Sequence, residues 1–193
     1  ADAPPLFAAT EPDPTISAYL PDGPFEDSAA LAQTLAREAG AEGYVFYAIA
    51  PTAVGHALGQ AALMRIDPGM GTIEIGSIWF APRLKRTTAA TEAIYLLARH
   101  AFDDLGYRRL EWKCDALNAA SRRAAARYGF RFEGVFRHHM VRKGRNRDTA
   151  WFAIVDDEWP AVRAAFEVWL TGDNFDGEGV QRRSLAGLMP TLD

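Results

Sequence analysis

Residues 71–105 read GTIEIGSIWFAPRLKRTTAATEAIYLLARHAFDDL: an apolar run, a basic loop and an amphipathic run in immediate succession. Ile73, Ile75, Ile78, Trp79 and Phe80 supply the β-branched and aromatic content of a strand over 71–80. Ile94, Leu97, Ala98, Ala101 and Leu105 recur at i, i+3, i+4, i+7 and i+11, a single apolar stripe at the helical period. Thr87 or Thr88 caps the start of that helix and Gly106 its end. The loop Arg83-Leu84-Lys85-Arg86-Thr87-Thr88 carries cations and hydroxyls to the helix N-terminus. Unpaired backbone N–H groups and a partial positive charge make such a terminus suited to phosphate oxygens. A basic loop before an ordinary capped helix has the same residues, so the loop alone decides nothing.

Toward the C-terminus, 109–114 reads as a strand and 119–128 as a helix opened by Asn118 or Ser121 and ended by Gly129. Strands over 131–141 and 149–155 form a hairpin across Lys143-Gly144-Arg145-Asn146. A last helix starts near Pro160, presents Trp159, Val162, Phe166 and Trp169 on one face, and stops at Gly172. Toward the N-terminus, strands over 44–50 and 57–66 precede the turn Asp67-Pro68-Gly69, and a helix runs from Asp27 or Ser28 to Glu38. Residues 1–24, rich in Pro, Ala and Asp, read as a loop or short helix around 16–20. This order predicts a mixed α/β (α+β) fold: a single three-layer domain over 1–172, its central sheet mostly antiparallel with helices on both faces. Residues 173–193 are expected to be a tail packed on the domain or trailing from it.

At 193 residues and 49% hydrophobic, the chain has material for one sizeable core. No apolar run approaches the ~20 residues of a membrane helix. The start, Ala1 to Pro5, lacks the basic-then-apolar pattern of a secretion signal. The single cysteine, Cys114, leaves no internal disulfide. A cytoplasmic protein is the expectation. The net charge of −4 conceals an asymmetry: residues 83–147 hold 16 Lys/Arg against 6 Asp/Glu, and the rest of the chain holds 5 against 19. A basic centre in an acidic chain suggests an anionic ligand held there; a solvated charged face would look the same. Two consecutive strand-to-helix junctions, both basic and polar, suit a long anionic ligand lying between them.

Lys85 to Ala90, followed by Thr91-Glu92-Ala93, resembles the acetyl-CoA loop of the GNAT N-acetyltransferase superfamily, Gln/Arg-x-x-Gly-x-Gly/Ala. Lys85 stands first, Thr88 at the Gly and Ala90 last, with Arg86 where a second Gly is common. Asn118-x-x-Ser121, Gly129-Phe130 and Glu133-Gly134 are similar to the second signature in the RimJ/RimL-like branch, the ribosomal-protein N-terminal acetyltransferases. So are Glu111 to Asn118 and Lys143 to Thr149. The superfamily's frequent general-acid Tyr falls on Ala125, and its usual first strand has no counterpart before Leu6.

The resemblance implies attack of a primary amine on the acetyl thioester in a ternary complex. Acetyl-CoA would be held by Ile78, Trp79, Phe80, Lys85, Arg86, Thr87, Thr88, Ala89, Ala90, Asn118, Ser121 and Arg123, the carbonyl oxygen by backbone N–H groups around 78–80. Ser121 is the candidate acid for the thiolate, with helix capping as its alternative role. Glu74, mid-strand among apolar residues, is the candidate base, and Glu111 its rival. Of His138 and His139 at most one faces the site, since neighbours on a strand point to opposite faces. No metal is expected. The acceptor is a protein N-terminus or a small-molecule amine. Aromatic residues gathered in the last third suggest a homodimer. Two other readings fit some of the residues: an acyl-CoA-binding protein without catalysis, and an RNA- or ribosome-binding module using the basic stretch from Arg137 to Arg147.

Overall fold

The computed structural model describes residues 3–10 and 13–191. Six strands form one sheet in the order β1 (Tyr44–Ile49), β2 (Gly59–Asp67), β3 (Thr72–Phe80), β4 (Arg109–Asp115), β6 (Arg145–Val155) and β5 (Arg131–Arg142). Every neighbouring pair is antiparallel except β3 with β4. That pair is joined by α3 (Thr88–Arg99), the crossover helix that a parallel connection needs.

Strand alternation assigns the two faces. On β4, Leu110, Trp112 and Cys114 enter the larger core, while Arg109, Glu111 and Lys113 point the other way. The first face is covered by α3 and by α5 (Trp159–Leu170), whose Ile94, Leu97, Val162 and Phe166 join that core. The second is covered at the β2–β3 end by α1 (Ala3–Thr10) and α2 (Ser28–Ala39), where Leu6, Leu31, Ala57 and Trp79 make a smaller core. Three layers result, as the order of elements predicts.

The differences from the sequence reading have local causes. The N-terminal segment is helical at Ala3–Thr10, with a 3-10 turn at Pro14–Ser17, rather than around 16–20. Pro4 and Pro5 occupy the first turn, where a missing N–H costs nothing, and Leu6 is buried. The hairpin loop is Lys143-Gly144 alone, with φ of 47° and 73°. Both central residues are left-handed, as a two-residue turn matching the strand twist requires, so Arg145 and Asn146 belong to β6.

The segment after 172 meets the domain around Asn174 and Leu185, with 176–184 exposed between them. Asn174 is buried and donates to the carbonyls of Trp169 and Arg183, and Leu185 of α6 (Leu185–Leu188) reaches the main core. Of the aromatic residues that suggested a homodimer, Trp151 and Phe175 are partly buried. Trp159, Phe166 and Trp169 are buried, with Trp159 donating to Asp103 and Trp169 to Gln181.

Candidate active site

β3 and β4 pair only over three residues, ending at Glu74 opposite Glu111, although they run on to Phe80 and Asp115. Beyond that point a wedge opens between them. From Ile75 to Phe80 no residue of β3 is in register with one of β4, so backbone groups on that edge need another partner. A bulge sharpens this. Between Gln60 opposite Trp79 and Ala62 opposite Gly76, β3 takes three steps where β2 takes two, and Ser77 sits at φ 48°. Bulges re-aim backbone groups and increase local twist. Ile78, Trp79 and Phe80 follow directly.

Because β3 and β4 are parallel, the helices after them start at the same sheet end. At α3 the Thr87 hydroxyl accepts from the Ala90 N–H (3.2 Å), which leaves the amides of Thr88 and Ala89 without an intrahelical partner. Arg86 takes the left-handed conformation, φ 65°, at a position where the family signature commonly has glycine. Lys85 leans away from the helix onto Asp13 (2.6 Å) and holds that carboxyl down at about 2. At α4 (Ala119–Arg127) the cap is Asn118, which accepts from the Ser121 N–H (3.0 Å).

With capping taken by Asn118, the Ser121 hydroxyl is committed elsewhere: it accepts from Trp112 Nε1 at 3.0 Å. An accepting hydroxyl keeps its own proton to give. Cys114 is buried beside Ser121, its thiol pushed up by burial and eased by the serine hydroxyl. Ala125, where the superfamily Tyr would stand, is fully buried, and Tyr128 lies in the main core.

Glu74 lies on the second face, 1% exposed. Its Oε2 stands 3.0 Å from Lys113 Nζ and 3.4 Å from Arg65 Nε. Oε1 lies against Gly76, where an added Cβ would come within 3.0 Å of it. Burial raises the Glu74 carboxyl, with Lys113 opposing, and burial lowers the Lys113 ammonium. Glu111 is committed to Arg109 (2.8 Å), which also holds Glu133 through both terminal nitrogens. His138 is exposed at a bulge, φ 51°, while His139 packs on Trp151 and meets the Thr149 hydroxyl at 2.9 Å. His139 is the one of the two that faces the polar side of the sheet. Burial and then Lys113, Arg147 and Arg65 push its pKa down.

Sequence reasoning missed a cleft of about 310 Å³ between the N-terminal helices and the bulge, reaching Gln60, Ser77 and Trp79. The signals were present but faint: Gln60 interrupts the apolar run of β2, and Ser77 interrupts that of β3. Lys143 was read only as part of a turn. Its ammonium donates to the carbonyls of Ser17 (2.9 Å) and Gly23 (2.6 Å), tying the hairpin tip to the wall of that cleft.

The comparisons agree with this geometry. The sequence family described as Acetyltransferase (GNAT) domain matches residues 1–131. The solved structure of a GCN5-related N-acetyltransferase from Brucella melitensis is 46% identical with a TM-score of 0.94, over 97% of this chain and 86% of that one. A probable GNAT-family acetyltransferase from Chromobacterium violaceum is 44% identical with a TM-score of 0.77, over 83% of each chain. A curated relative, the uncharacterized N-acetyltransferase YnaD of Bacillus subtilis, is 29% identical over 91 residues. That match spans 47% of this chain and only about half, 53%, of YnaD. The chain belongs to the GNAT acetyltransferase family. Among the described residues no helix is long and apolar enough to cross a membrane, and no three His, Cys, Asp or Glu gather as a metal site would need.

Proposed function

We propose that the chain moves the acetyl group of acetyl-CoA to a primary amine by direct attack in a ternary complex, and that it belongs with the RimJ/RimL-like branch. The observation that carries this reading is the wedge. It combines a stretch of β3 out of register with β4, two helix N-termini at one sheet end, and Ser121 in the first turn of the second of those helices. The anionic end of acetyl-CoA suits the free amides of Thr88 and Ala89, with Lys85, Arg86 and Arg123 as nearby cations. The thioester supplies an electrophilic carbonyl. Backbone N–H groups around Ile78, Trp79 and Phe80 hold its oxygen.

Glu74 takes the ammonium proton at Oε1, directly or through a water, while Lys113 and Arg65 anchor Oε2. The freed amine nitrogen bonds to the carbonyl carbon and sheds its second proton to solvent, the C–S bond breaks, and Ser121 gives its proton to the departing thiolate. Ser121 is then reprotonated from solvent. The basic hairpin offers less to RNA than its composition suggests, because Lys143 is spent on backbone carbonyls and Arg147 Nε is buried.

Saturating acetyl-CoA should raise the thermal midpoint, by mass action worth about 2.7 kcal/mol at a hundredfold excess over Kd. Lys85→Glu should weaken the shift by reversing a charge in the loop before α3, and it also leaves Asp13 without its ion pair. Unfolding curves that superimpose with and without acetyl-CoA would contradict the reading.

A further inference from the structure

The cleft beside the bulge has a chemistry of its own. Among the described residues four carboxylates line it, Asp13, Asp22, Glu26 and Glu38, and no Lys, Arg or His does. Asp13 is neutralised by Lys85 and Asp22 by Arg37 (2.8 Å). Glu38, half-buried, is met instead by a neutral group: Gln60, 5% exposed, donates Nε2 to Glu38 Oε2 at 3.0 Å. Burial raises the Glu38 carboxyl, as expected of an anion held without a cation against it. Most of the rest of the lining is apolar, with Phe7, Ile16, Leu20, Phe25, Leu35 and Trp79 around the void. One further polar atom is unsatisfied: Ser17 Oγ is buried without a hydrogen-bond partner. The cleft ends at Ser77, the bulged residue next to the wedge.

A half-buried carboxylate with no ion-pair partner, in a largely apolar void whose lining includes the bulged Ser77, is a seat for a cation with an apolar body. We propose that this cleft takes the acceptor as a small primary ammonium with an aryl or branched-alkyl body, and that Glu38, oriented by Gln60, is the positioning residue for its charge. The proposal rests on the acetyltransferase reading and narrows its substrate. An acceptor bearing its own carboxylate meets Glu26 and Glu38 unfavourably. A long polycation has more charge than the void has partners, and about 310 Å³ suits a small molecule better than a peptide.

The full-length chain with 2-phenylethylamine, phenylalanine, spermidine and a short peptide with a free N-terminus tests this, by amine acetylation with acetyl-CoA and by calorimetric titration of each amine alone. 2-Phenylethylamine should be the preferred acceptor and should bind without acetyl-CoA. Glu38→Gln keeps the side-chain shape and should raise KM for 2-phenylethylamine by roughly 10- to 100-fold, the loss of one charged hydrogen bond. Its kcat should hold within about threefold, far short of the loss expected of a catalytic group. Leu20→Trp, which fills the void, should weaken amine binding similarly while leaving the acetyl-CoA melting shift intact. Preference for phenylalanine, spermidine or the peptide would overturn the proposal, as would an unchanged KM in Glu38→Gln or a fall in kcat alone. Loss of the acetyl-CoA shift in the unaltered chain would instead sink the acetyltransferase reading.

Discussion

Ser121→Ala is expected to lower kcat by ~10²–10⁴-fold while leaving acetyl-CoA affinity nearly unchanged. The reason is local. Capping of α4 falls to Asn118, whose side chain accepts the Ser121 N–H, so the Ser121 hydroxyl is not needed to start the helix. Its contact is with the buried Trp112 ring, which donates Nε1 to it. The alanine variant therefore also loses stability, because the indole N–H is left unpaired at a cost of about 1–3 kcal/mol. Stability alone does not separate the two roles. Steady-state kinetics at a temperature well below both melting transitions does: a folded variant with unchanged kcat would remove Ser121 from the proton path.

Lys113→Met should be the most destabilising single change on the polar face, by about 3–5 kcal/mol at neutral pH. It leaves a buried carboxylate with only the more exposed Arg65 for company. The loss should depend on pH with a definite sign. Burial already places the folded Glu74 carboxyl above its ordinary value of 4.5, and Lys113 opposes that rise. Removing the lysine raises it further. The folded state then binds a proton that the unfolded state lacks, so stability falls as pH rises through the folded pKa. The variant should therefore recover stability as pH is lowered from neutral toward 4.5, and Lys113→Met combined with Glu74→Gln should recover much of it at neutral pH. Denaturant titrations across that range measure both effects. A loss independent of pH, with no rescue in the double variant, would place the damage in packing against Trp151, whose ring Lys113 overlies.

The elements that sequence made legible are those whose periodicity is set by one dominant core. The stripe Ile94, Leu97, Ala98 and Ala101 and the alternation of Leu110, Trp112 and Cys114 both point into it, while Leu105, expected on the same stripe, is exposed because α3 gives way to a π turn over His100–Asp104. The N-terminal segment was opaque because its helix is short, starts with two prolines and is held by distant partners: Trp79 beneath it and Lys143 from the hairpin tip. Within the site, Ser121, Asn118 and the loop from Lys85 to Ala90 could be placed in order along the chain. What could not be read was which residue caps α4, because Asn118 and Ser121 are both competent and only the observed hydrogen bonds separate them. The pairing of Glu74 with Lys113 was equally hidden. It depends on β3 and β4 being adjacent and in a register that places Glu74 opposite Glu111. The bulge at Ser77 leaves almost no trace in sequence, since the residue is an ordinary serine held at positive φ by its neighbours.

The central claim is that the wedge between β3 and β4 brings an acetyl thioester to a free amine. Incubating the purified chain with acetyl-CoA and a panel of primary amines, with free CoA and acetylated amine both quantified, tests it most directly. The account predicts CoA release in equal amount to one acetylated amine, dependent on that amine and slowed ~10²–10⁴-fold in Ser121→Ala. No acetylated product from any amine, with CoA release no faster than in the absence of protein, would contradict it.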